Sequence, residues 1–435
     1  MRLPKKKLSI SKDKLKTTAD LGILAMAFII PSGFYALDLA VLALIGICRI
    51  LQGSIRLDRL RRPVVFLPIA FYLYIFSGFF FSQHKGDALS AWSEKLPYLL
   101  YPLFIGCAAG VEKALISRAL RLFVISVCIS MALAFLYAGI DTWVAHTATI
   151  QMGESIYNKF SWYGLTRVFP DWHPTCVSLF CNMAIAILLY HALQGDRRLF
   201  RKHGYLAATI IFLSICVCLL YSVTGIVTYA CLLVFFLFRW MHAQRLSFTV
   251  RIGTCLAVAA LLAGLLYANP MAMDKVRQLR EKGWTATDKQ DERNVLTIRL
   301  AKWITHLDIF QHHPLFGTTA GDIRDMRKET YRQKGYTDLA AYNYNAHDQY
   351  IEVLATYGIA GAILFFAMLG AACALAFRNT LLTAFMISSL LIMMTESLLE
   401  RQQGLNFFLF FYSLLTLSGV PGGESPLRVL RRPAS

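Results

Sequence analysis

The sequence predicts an all-α polytopic membrane protein with about twelve transmembrane helices and one large helical loop domain. The 435 residues are 57% hydrophobic and 16% charged, whereas soluble domains are about 45–50% apolar and about 25% charged. Apolar stretches long enough to cross a bilayer recur along the chain. Basic residues cluster in every second connection between these stretches, which is the pattern of the positive-inside rule.

The apolar stretches divide the chain into four parts. Spans are predicted at 19–33, 36–52, 64–82, 97–111, 117–139, 174–194, 204–222, 223–241, 250–268, 349–377, 379–397 and 404–420. Residues 1–268 hold nine spans, 269–348 form the large outer loop domain, 349–420 hold three spans, and 421–435 form a tail. Helices are predicted because no set of alternating strands that could close a barrel is present.

The net charge of +18 allows two interpretations. In a soluble protein this excess would indicate a nucleic-acid partner, and the basic start MRLPKKKLSISKDKLK could be a nucleic-acid arm. In a membrane protein it encodes orientation. Placing the N-terminus inside makes every second connection basic and leaves the outer segments nearly balanced. We therefore predict that both termini are cytoplasmic and that no nucleic acid is bound.

Two outer loops, at about 140–173 and 269–348, are much longer than ordinary connections. Loops of such length usually contain functional residues. In the second loop, residues 296–311 form a predicted amphipathic helix. Its apolar stripe is Leu296, Leu300, Trp303, Ile304 and Leu307, and its polar stripe is Arg299, Lys302 and His306. The helix could lie at the membrane interface with Trp303 as an anchor and attract lipid headgroups. Alternatively, Arg299 could face a bound phosphate.

Polar residues also precede two spans. Asn345, His347 and Asp348 lie just before the tenth span, where a helix start would favour a neutral imidazole able to accept a proton. The alternative is an ordinary capped helix start. Arg167, Asp171 and His173 precede the sixth span. They could bind an anion or, less convincingly, a metal, or they could serve as a cap and interface anchor.

The sequence lacks the motifs of nucleotide and metal chemistry. No P-loop, dinucleotide-binding glycine turn, Asp-x-Asp pair or Cys-x-x-Cys set is present, so we predict no cofactor and no metal. An enzyme on the outer face has no ATP, and its donor must arrive already activated. A lipid-linked diphosphate meets that need.

Several short motifs follow one another along the chain: Arg299-x-x-x-Trp303, Pro314-Leu315-Phe316-Gly317, the segment from Asn345 to Tyr350, and Gly358-Ile359-Ala360-Gly361. In this order they resemble the bacterial O-antigen ligases and their relatives, the O-antigen polymerases and protein O-oligosaccharyltransferases. The resemblance is sharpest over about 220–375. Farther towards the N-terminus it rests mainly on topology. Family members often carry Ser-Arg-Gly where this chain has Ser222-Val223-Thr224-Gly225, so the arginine of that motif is missing.

The resemblance implies a membrane-embedded, GT-C-like glycosyltransferase of the bacterial inner membrane with its site at the periplasmic face. It would transfer polysaccharide from undecaprenyl diphosphate to lipid A–core, by an inverting, metal-independent step. His347 would be the general base, and Arg299 and Arg167 would bind the donor diphosphate. Asn345, Trp303 and Asp348 would support the site. The partners would be this lipid-linked donor, the lipid A–core acceptor and membrane lipid.

Other functions stay open at this point. A polymerase would use a second lipid-linked glycan as acceptor, although one loop of about 80 residues beside one of about 34 favours a ligase. A protein O-oligosaccharyltransferase is a third reading of the same family. A twelve-span transporter or flippase belongs to a different class, but no repeated half is present, and among the spans only Glu396 and Glu400 stand out as charges near an outer end. Gly358 and Gly361 are predicted only to allow close helix packing.

Overall fold

The computed structural model describes residues 11–144, 159–170, 172–195, 203–267, 295–377 and 379–417, together with positions 273, 277, 280 and 286. Several predictions fall outside these residues. They concern the first ten residues of the basic start, residues 145–158 and Asp171 of the loop at 140–173, the beginning of the loop domain, and the tail at 421–435. The described part is helical, and its one β-type pairing is an isolated bridge between Ile55 and Ala108.

The amino-terminal part contains helices of very different length. They are α1 (Lys12–Ile29), α2 (Tyr35–Gln52), α3 (Pro63–Phe81), α4 (Lys85–Glu94), α5 (Pro97–Tyr101), α6 (Lys113–Val144), α7 (Tyr163–Thr166), α8 (Pro174–Leu193), α9 (His203–Leu219), α10 (Val223–Ala243) and α11 (Phe248–Tyr267). Proline at the first position of α3, α5 and α8 suits a helix start, because the first turn needs no N–H from that residue.

The carboxy-terminal part contains the loop-domain helices and the last spans. They are α12 (Val295–His312), α13 (Ile323–Gln333), α14 (Thr337–Tyr342), α15 (Gln349–Ala376), α16 (Thr380–Met393) and α17 (Gln402–Leu417). A short 3-10 helix, Leu398–Glu400, lies between α16 and α17. The chain therefore returns to the membrane bundle directly after the loop domain.

Seven helices within the described residues are long and apolar enough to cross a membrane, and three shorter apolar helices accompany them. This confirms an all-α polytopic membrane fold. The span predicted at 97–111 differs, because α5 is only five residues long and continues as a π turn, Pro102–Gly106. Pro102 has no N–H to donate and disturbs the regular helical ladder there.

The centre of the bundle is α8, which is buried along nearly its whole length. Helices α6, α9, α10 and α16 all pack against it. A cluster of phenylalanine rings lies beside it, in which Phe123, Phe180, Phe407 and Phe411 make ring contacts with centroids 4.8–6.3 Å apart. Such a buried aromatic cluster fixes α6, α8 and α17 relative to one another.

Helix α15 is broken at Gly358, whose φ of 63° and ψ of −167° are not helical. The segment Pro314–Gly317 fills the break: the carbonyl groups of Pro314 and Leu315 accept the N–H groups of Ile359 and Ala360, at 2.8 and 3.0 Å. A Cβ at Gly358 would lie 2.5 Å from the Gly317 nitrogen. Gly358 therefore allows close packing of the helix break against the segment Pro314–Gly317, because only glycine permits this backbone contact.

The loop domain is also attached to the end of α3 through Asp322. Its carboxylate accepts hydrogen bonds from the Ser82 hydroxyl and from the N–H groups of Gln83 and His84, and it contacts the His84 ring at 3.0 Å. These bonds hold the pKa of the Asp322 carboxyl below its ordinary value, although burial alone would raise it. The loop domain is thus fixed to the bundle at two places, near Gly358 and near Ser82.

Candidate active site

His347 lies in a strained segment that is held by hydrogen bonds on both sides. Its φ of 48° belongs to the left-handed region, which is unfavourable for a residue with a Cβ. The Asn345 side chain accepts the His347 N–H at 3.2 Å. Asp348 caps α15 by accepting the N–H groups of Tyr350 and Ile351 at 2.9 and 3.0 Å. The predicted supporting residues Asn345 and Asp348 therefore shape the backbone around His347.

A buried carboxylate orients the His347 ring. The ring Nδ1 lies 3.1 Å from Oε2 of Glu396, which belongs to the segment after α16. Burial alone would raise the pKa of the Glu396 carboxyl, but the hydrogen bond to His347 and nearby positive charges lower it to about 2. An ionised carboxylate can only accept, so Nδ1 carries the hydrogen and donates it.

The protonation state of His347 suits a base. Burial lowers its pKa below the ordinary value, and this effect outweighs the opposing hydrogen bond and charge of Glu396. The ring is therefore neutral at neutral pH, with its hydrogen on Nδ1. Nε2 then carries a lone pair that can accept a proton from a substrate.

Arg299 is the nearest described cation to this pair. Its Nη2 lies 3.7 Å from Oε1 of Glu396, and about a quarter of its side chain is exposed. Arg299 therefore contacts the carboxylate and can still reach an incoming anion. The predicted pairing of Arg299 with His347 in one site is realised through Glu396, which joins them.

The polar stripe of α12 is buried, while two members of its apolar stripe are exposed. Lys302 and His306 are buried, whereas Ile304 and Leu307 are among the exposed large apolar residues. Trp303 is partly buried, and its indole nitrogen is enclosed by protein. The polar face of this helix is thus turned towards the site, and the apolar face is left for surroundings that accept apolar groups.

Lys302 and His306 are both perturbed by burial. Lys302 Nζ lies 4.1 Å from the centre of the Tyr344 ring, and burial together with the charge of Arg299 lowers its pKa to about 7. His306 contacts the Lys302 carbonyl through Nδ1 at 2.7 Å. Burial, assisted by the charge of Arg327, lowers the pKa of His306 to about 3, so this ring is neutral.

A cluster of buried polar side chains supports the backbone of the segment that carries His347. Glu352, in the first turn of α15, accepts the Ala346 N–H at 2.7 Å and contacts Arg327 at 3.4 Å and His306 at 3.5 Å. Arg327 in turn donates to the Asn343 side chain at 2.8 Å. Since α12, α13 and α15 all contribute to this group, the position of His347 depends on the whole loop domain.

The segment that carries Glu396 is tied to neighbouring helices as well. The Gln349 side chain accepts the Leu399 N–H at 2.6 Å. Lys95 donates to the Leu399 carbonyl at 2.6 Å and to the Glu400 carboxylate at 2.8 Å. These bonds fix Glu396 against the start of α15.

The other long loop contributes His173 to the surroundings of the site. Burial lowers the pKa of His173 to about 4, and the charges of Glu396, Arg401, His347 and Arg299 all act on it. Arg401 also acts on Lys302. The position before α8 is anchored by Trp172, whose indole donates to the Pro31 carbonyl at 2.8 Å. His173 and Arg401 are therefore part of the electrostatic environment of His347.

Arg167 lies exposed at the carboxyl end of α7, and no contact among the described residues links it to His347 or Arg299. Its role in binding the donor stays a prediction. At the position where relatives carry Ser-Arg-Gly, Ser222 caps α10 by accepting the Gly225 N–H at 3.2 Å. No set of three or more potential metal ligands is gathered anywhere in the described part of the chain.

Glu396 is the site residue to which sequence reasoning assigned no role. It was visible as one of the few acidic residues at the end of an apolar span, where an ionisable group is costly and commonly functional. Its partner could not be identified, since His347 lies 49 positions earlier in the chain. The pairing depends on how α15 and α16 pack together.

A helical membrane bundle with a buried histidine–carboxylate pair and adjacent cations defines a class: membrane-embedded proteins equipped for acid–base chemistry on anionic substrates. Residues 208–366 match the family model described as O-Antigen ligase. This match confirms the resemblance seen in the sequence: residues 208–366 are similar to the O-antigen ligase family. The similarity supports a glycosyltransferase of the ligase or polymerase type. No curated protein matches the chain at a significant level.

Proposed function

We propose that this protein transfers O-antigen polysaccharide from undecaprenyl diphosphate to lipid A–core at the periplasmic face of the inner membrane. The observation that carries this proposal is the hydrogen bond from His347 Nδ1 to Glu396, 3.1 Å long. It leaves Nε2 as the basic atom of a neutral imidazole. Histidine with a carboxylate partner is an arrangement that activates hydroxyl nucleophiles in other enzymes.

The proposed reaction is a single displacement. Nε2 of His347 takes the proton of the acceptor hydroxyl as its oxygen attacks the anomeric carbon of the donor. The bond from that carbon to the phosphate oxygen breaks, and undecaprenyl diphosphate leaves with the electron pair. Attack opposite to the leaving group inverts the anomeric centre. General-base assistance of this kind is worth about 10²- to 10⁴-fold in rate.

The leaving diphosphate requires positive charge rather than a proton. Arg299 is placed for this role because its guanidinium is partly exposed and adjoins the histidine–carboxylate pair. Arginine binds phosphate oxygens in a fixed, two-point geometry. We propose Arg167 as a second ligand, on the basis of the resemblance. With arginines in these positions, the charge that develops is stabilised without a metal ion.

Orientation follows from charge. By the positive-inside rule, the basic connections favour a cytoplasmic position for both termini. In the orientation we propose, the loop domain and the His347 segment lie on the periplasmic side. Finished polysaccharide on undecaprenyl diphosphate would meet lipid A–core there. The exposed Ile304 and Leu307 of α12 suit contact with the lipids that carry both substrates.

The proposal is tested by the lipopolysaccharide of a deletion strain complemented with variants. We expect the deletion to remove all polymer from lipid A–core while lipid-linked polymer accumulates. His347→Ala should not restore transfer, whereas the control His313→Ala, at a half-buried loop position, should. A core that carries a single repeat unit would instead show a polymerase. Normal lipopolysaccharide with unglycosylated protein would show a protein O-oligosaccharyltransferase, and full activity of His347→Ala would refute the mechanism.

A further inference from the structure

Lys302 is a basic side chain that is buried without an anionic partner among the described residues. The residue is only 6% exposed. Within the described part of the chain, its ammonium makes no hydrogen bond or ion pair, and its contact is the face of the Tyr344 ring at 4.1 Å. A buried ammonium is costly unless it is paired. An aromatic face offsets only part of that cost.

The surroundings of Lys302 do not supply the missing partner. The charged and titratable groups that act on it or contact it are Arg299, Arg327, Arg401, Glu396, His306, His347 and Tyr344. Three of these are arginines, which repel the ammonium. Glu396 attracts it but is already engaged by His347 and Arg299. Arg327 pairs with Glu352, whereas Arg299, Arg401 and Lys302 lie around Glu396, so positive charge exceeds negative charge beside Lys302.

Lys302 lies beside the residues to which the proposed reaction assigns roles. It follows Arg299 by three residues on α12, so the two side chains lie on the same face of the helix. The Tyr344 ring that holds its ammonium also contacts the His347 ring, with centroids 6.2 Å apart. Arg299, Lys302 and His347 therefore surround one region of the site.

We propose that Lys302 is a ligand for the diphosphate of the donor, acting beside Arg299. This inference rests on the proposed function, because it assumes a diphosphate-linked donor. The Tyr344 ring holds the ammonium in place. When donor binds, a phosphate oxygen becomes the anionic partner that the site lacks. Lysine serves here as a compact point charge, complementary to the planar fork of Arg299.

Proton uptake accompanies this binding. Since burial and the charge of Arg299 lower the pKa of Lys302 to about 7, a substantial fraction of this side chain is neutral at neutral pH. A bound phosphate favours the charged form and raises the pKa, so the lysine takes one proton from solvent. Affinity is then highest below pH 7 and falls as the pH rises from about 7 towards the pKa of the bound state.

The test measures binding of a short-chain polyprenyl-diphosphate sugar to the full-length protein in lipid nanodiscs by calorimetry. Both phosphates of this probe are esterified and stay ionised across the range studied. We expect Lys302→Met to weaken binding by about 10- to 100-fold, the usual value of one charge-assisted hydrogen bond. Lys302→Arg should bind the probe with most of the wild-type affinity. Its affinity should not decline above pH 7, because arginine stays charged. Lys334→Met, an exposed lysine of the same domain that pairs with Asp308, should bind as the wild type does.

The outcomes separate this inference from the proposed function. Wild-type affinity in Lys302→Met, with weakened binding in Arg299→Gln, would overturn the role of Lys302 and leave the proposed function intact. Equal losses in Lys302→Met and Lys302→Arg, with the pH dependence unchanged, would show that Lys302 only packs against Tyr344. If Arg299→Gln also bound normally and His347→Ala transferred polysaccharide, the proposed function itself would fail. Size-exclusion profiles and thermal unfolding identify any variant that does not fold.

Discussion

Replacing Glu396 by glutamine is the most direct test of the histidine–carboxylate pair. When His347 accepts a proton on Nε2, its ring becomes positive while Nδ1 remains 3.1 Å from the Glu396 carboxylate. Opposite charges about 4 Å apart attract by about 4 kcal/mol at an effective dielectric constant of about 20. Because 1.36 kcal/mol corresponds to a tenfold change in rate, losing this attraction lowers kcat by roughly 10³-fold. The amide keeps one hydrogen bond, so we expect a loss of about 10²- to 10³-fold.

The pH dependence separates this electrostatic role from a structural one. Burial lowers the pKa of His347, and Glu396 raises it. At saturating donor, the wild-type rate should therefore be constant around neutral pH and fall in acid, as His347 becomes protonated and can no longer act as a base. Without the charge of Glu396, the pKa of His347 falls further. In Glu396→Gln the acid limb should accordingly move to lower pH while the plateau drops.

The assay uses purified protein in nanodiscs with lipid-linked donor and lipid A–core, and it follows single-turnover transfer from pH 4.5 to 8.5. Glu329→Gln is the matched control, because it removes an exposed carboxylate that pairs with Arg332 and has no contact with His347 among the described residues. A plateau in Glu396→Gln within about threefold of wild type would refute the reasoning. So would a reduced plateau with an unmoved acid limb.

Three further expectations concern the supports of the site. Gly358→Ala should lower the melting temperature in detergent, because a left-handed φ costs about 1–3 kcal/mol and the new Cβ would lie 2.5 Å from the Gly317 nitrogen; an unchanged melting temperature would contradict this. Asp322→Ala should make the loop domain more sensitive to limited proteolysis, since each bond lost near His84 contributes about 1 kcal/mol; an unchanged cleavage rate would count against the attachment. Arg401→Gln should raise KM for the donor more than it lowers kcat, because its charge acts on the site without contacting His347; the reverse pattern would exclude that role.

The membrane fold could be predicted, and two residues of the candidate site could be singled out, because both depend on local patterns. Apolar length and alternating basic connections identify the helices, and short motifs single out Arg299 and His347. The prediction of one continuous span at 97–111 was wrong for a local reason. Hydropathy detects the apolar run, but Pro97 and Pro102 determine the backbone conformation within it. Composition alone could not separate a continuous span from a broken one.

The remaining site features depend on tertiary packing. Glu396 was recognisable as a buried charge, but only the contact between chain segments 49 residues apart shows which ring it orients. Lys302 and His306 were identified as a polar stripe that could equally face lipid headgroups. Their direction is set by the packing of α12 against α13 and α15, which buries them. Periodicity shows that a helix has two faces, and the neighbouring elements determine which face turns inward.

The filled break in α15 has a consequence for exchanging parts between family members. The carbonyl groups of Pro314 and Leu315 complete the hydrogen bonding of Ile359 and Ala360, so the loop domain supplies part of the backbone structure of a membrane span. A chimera that exchanges the loop domain alone would place the 314–319 segment of one parent against the α15 break of the other. The loop domain can therefore be exchanged intact only when residues 314–319 and 355–360 are grafted together, as one unit drawn from the same parent.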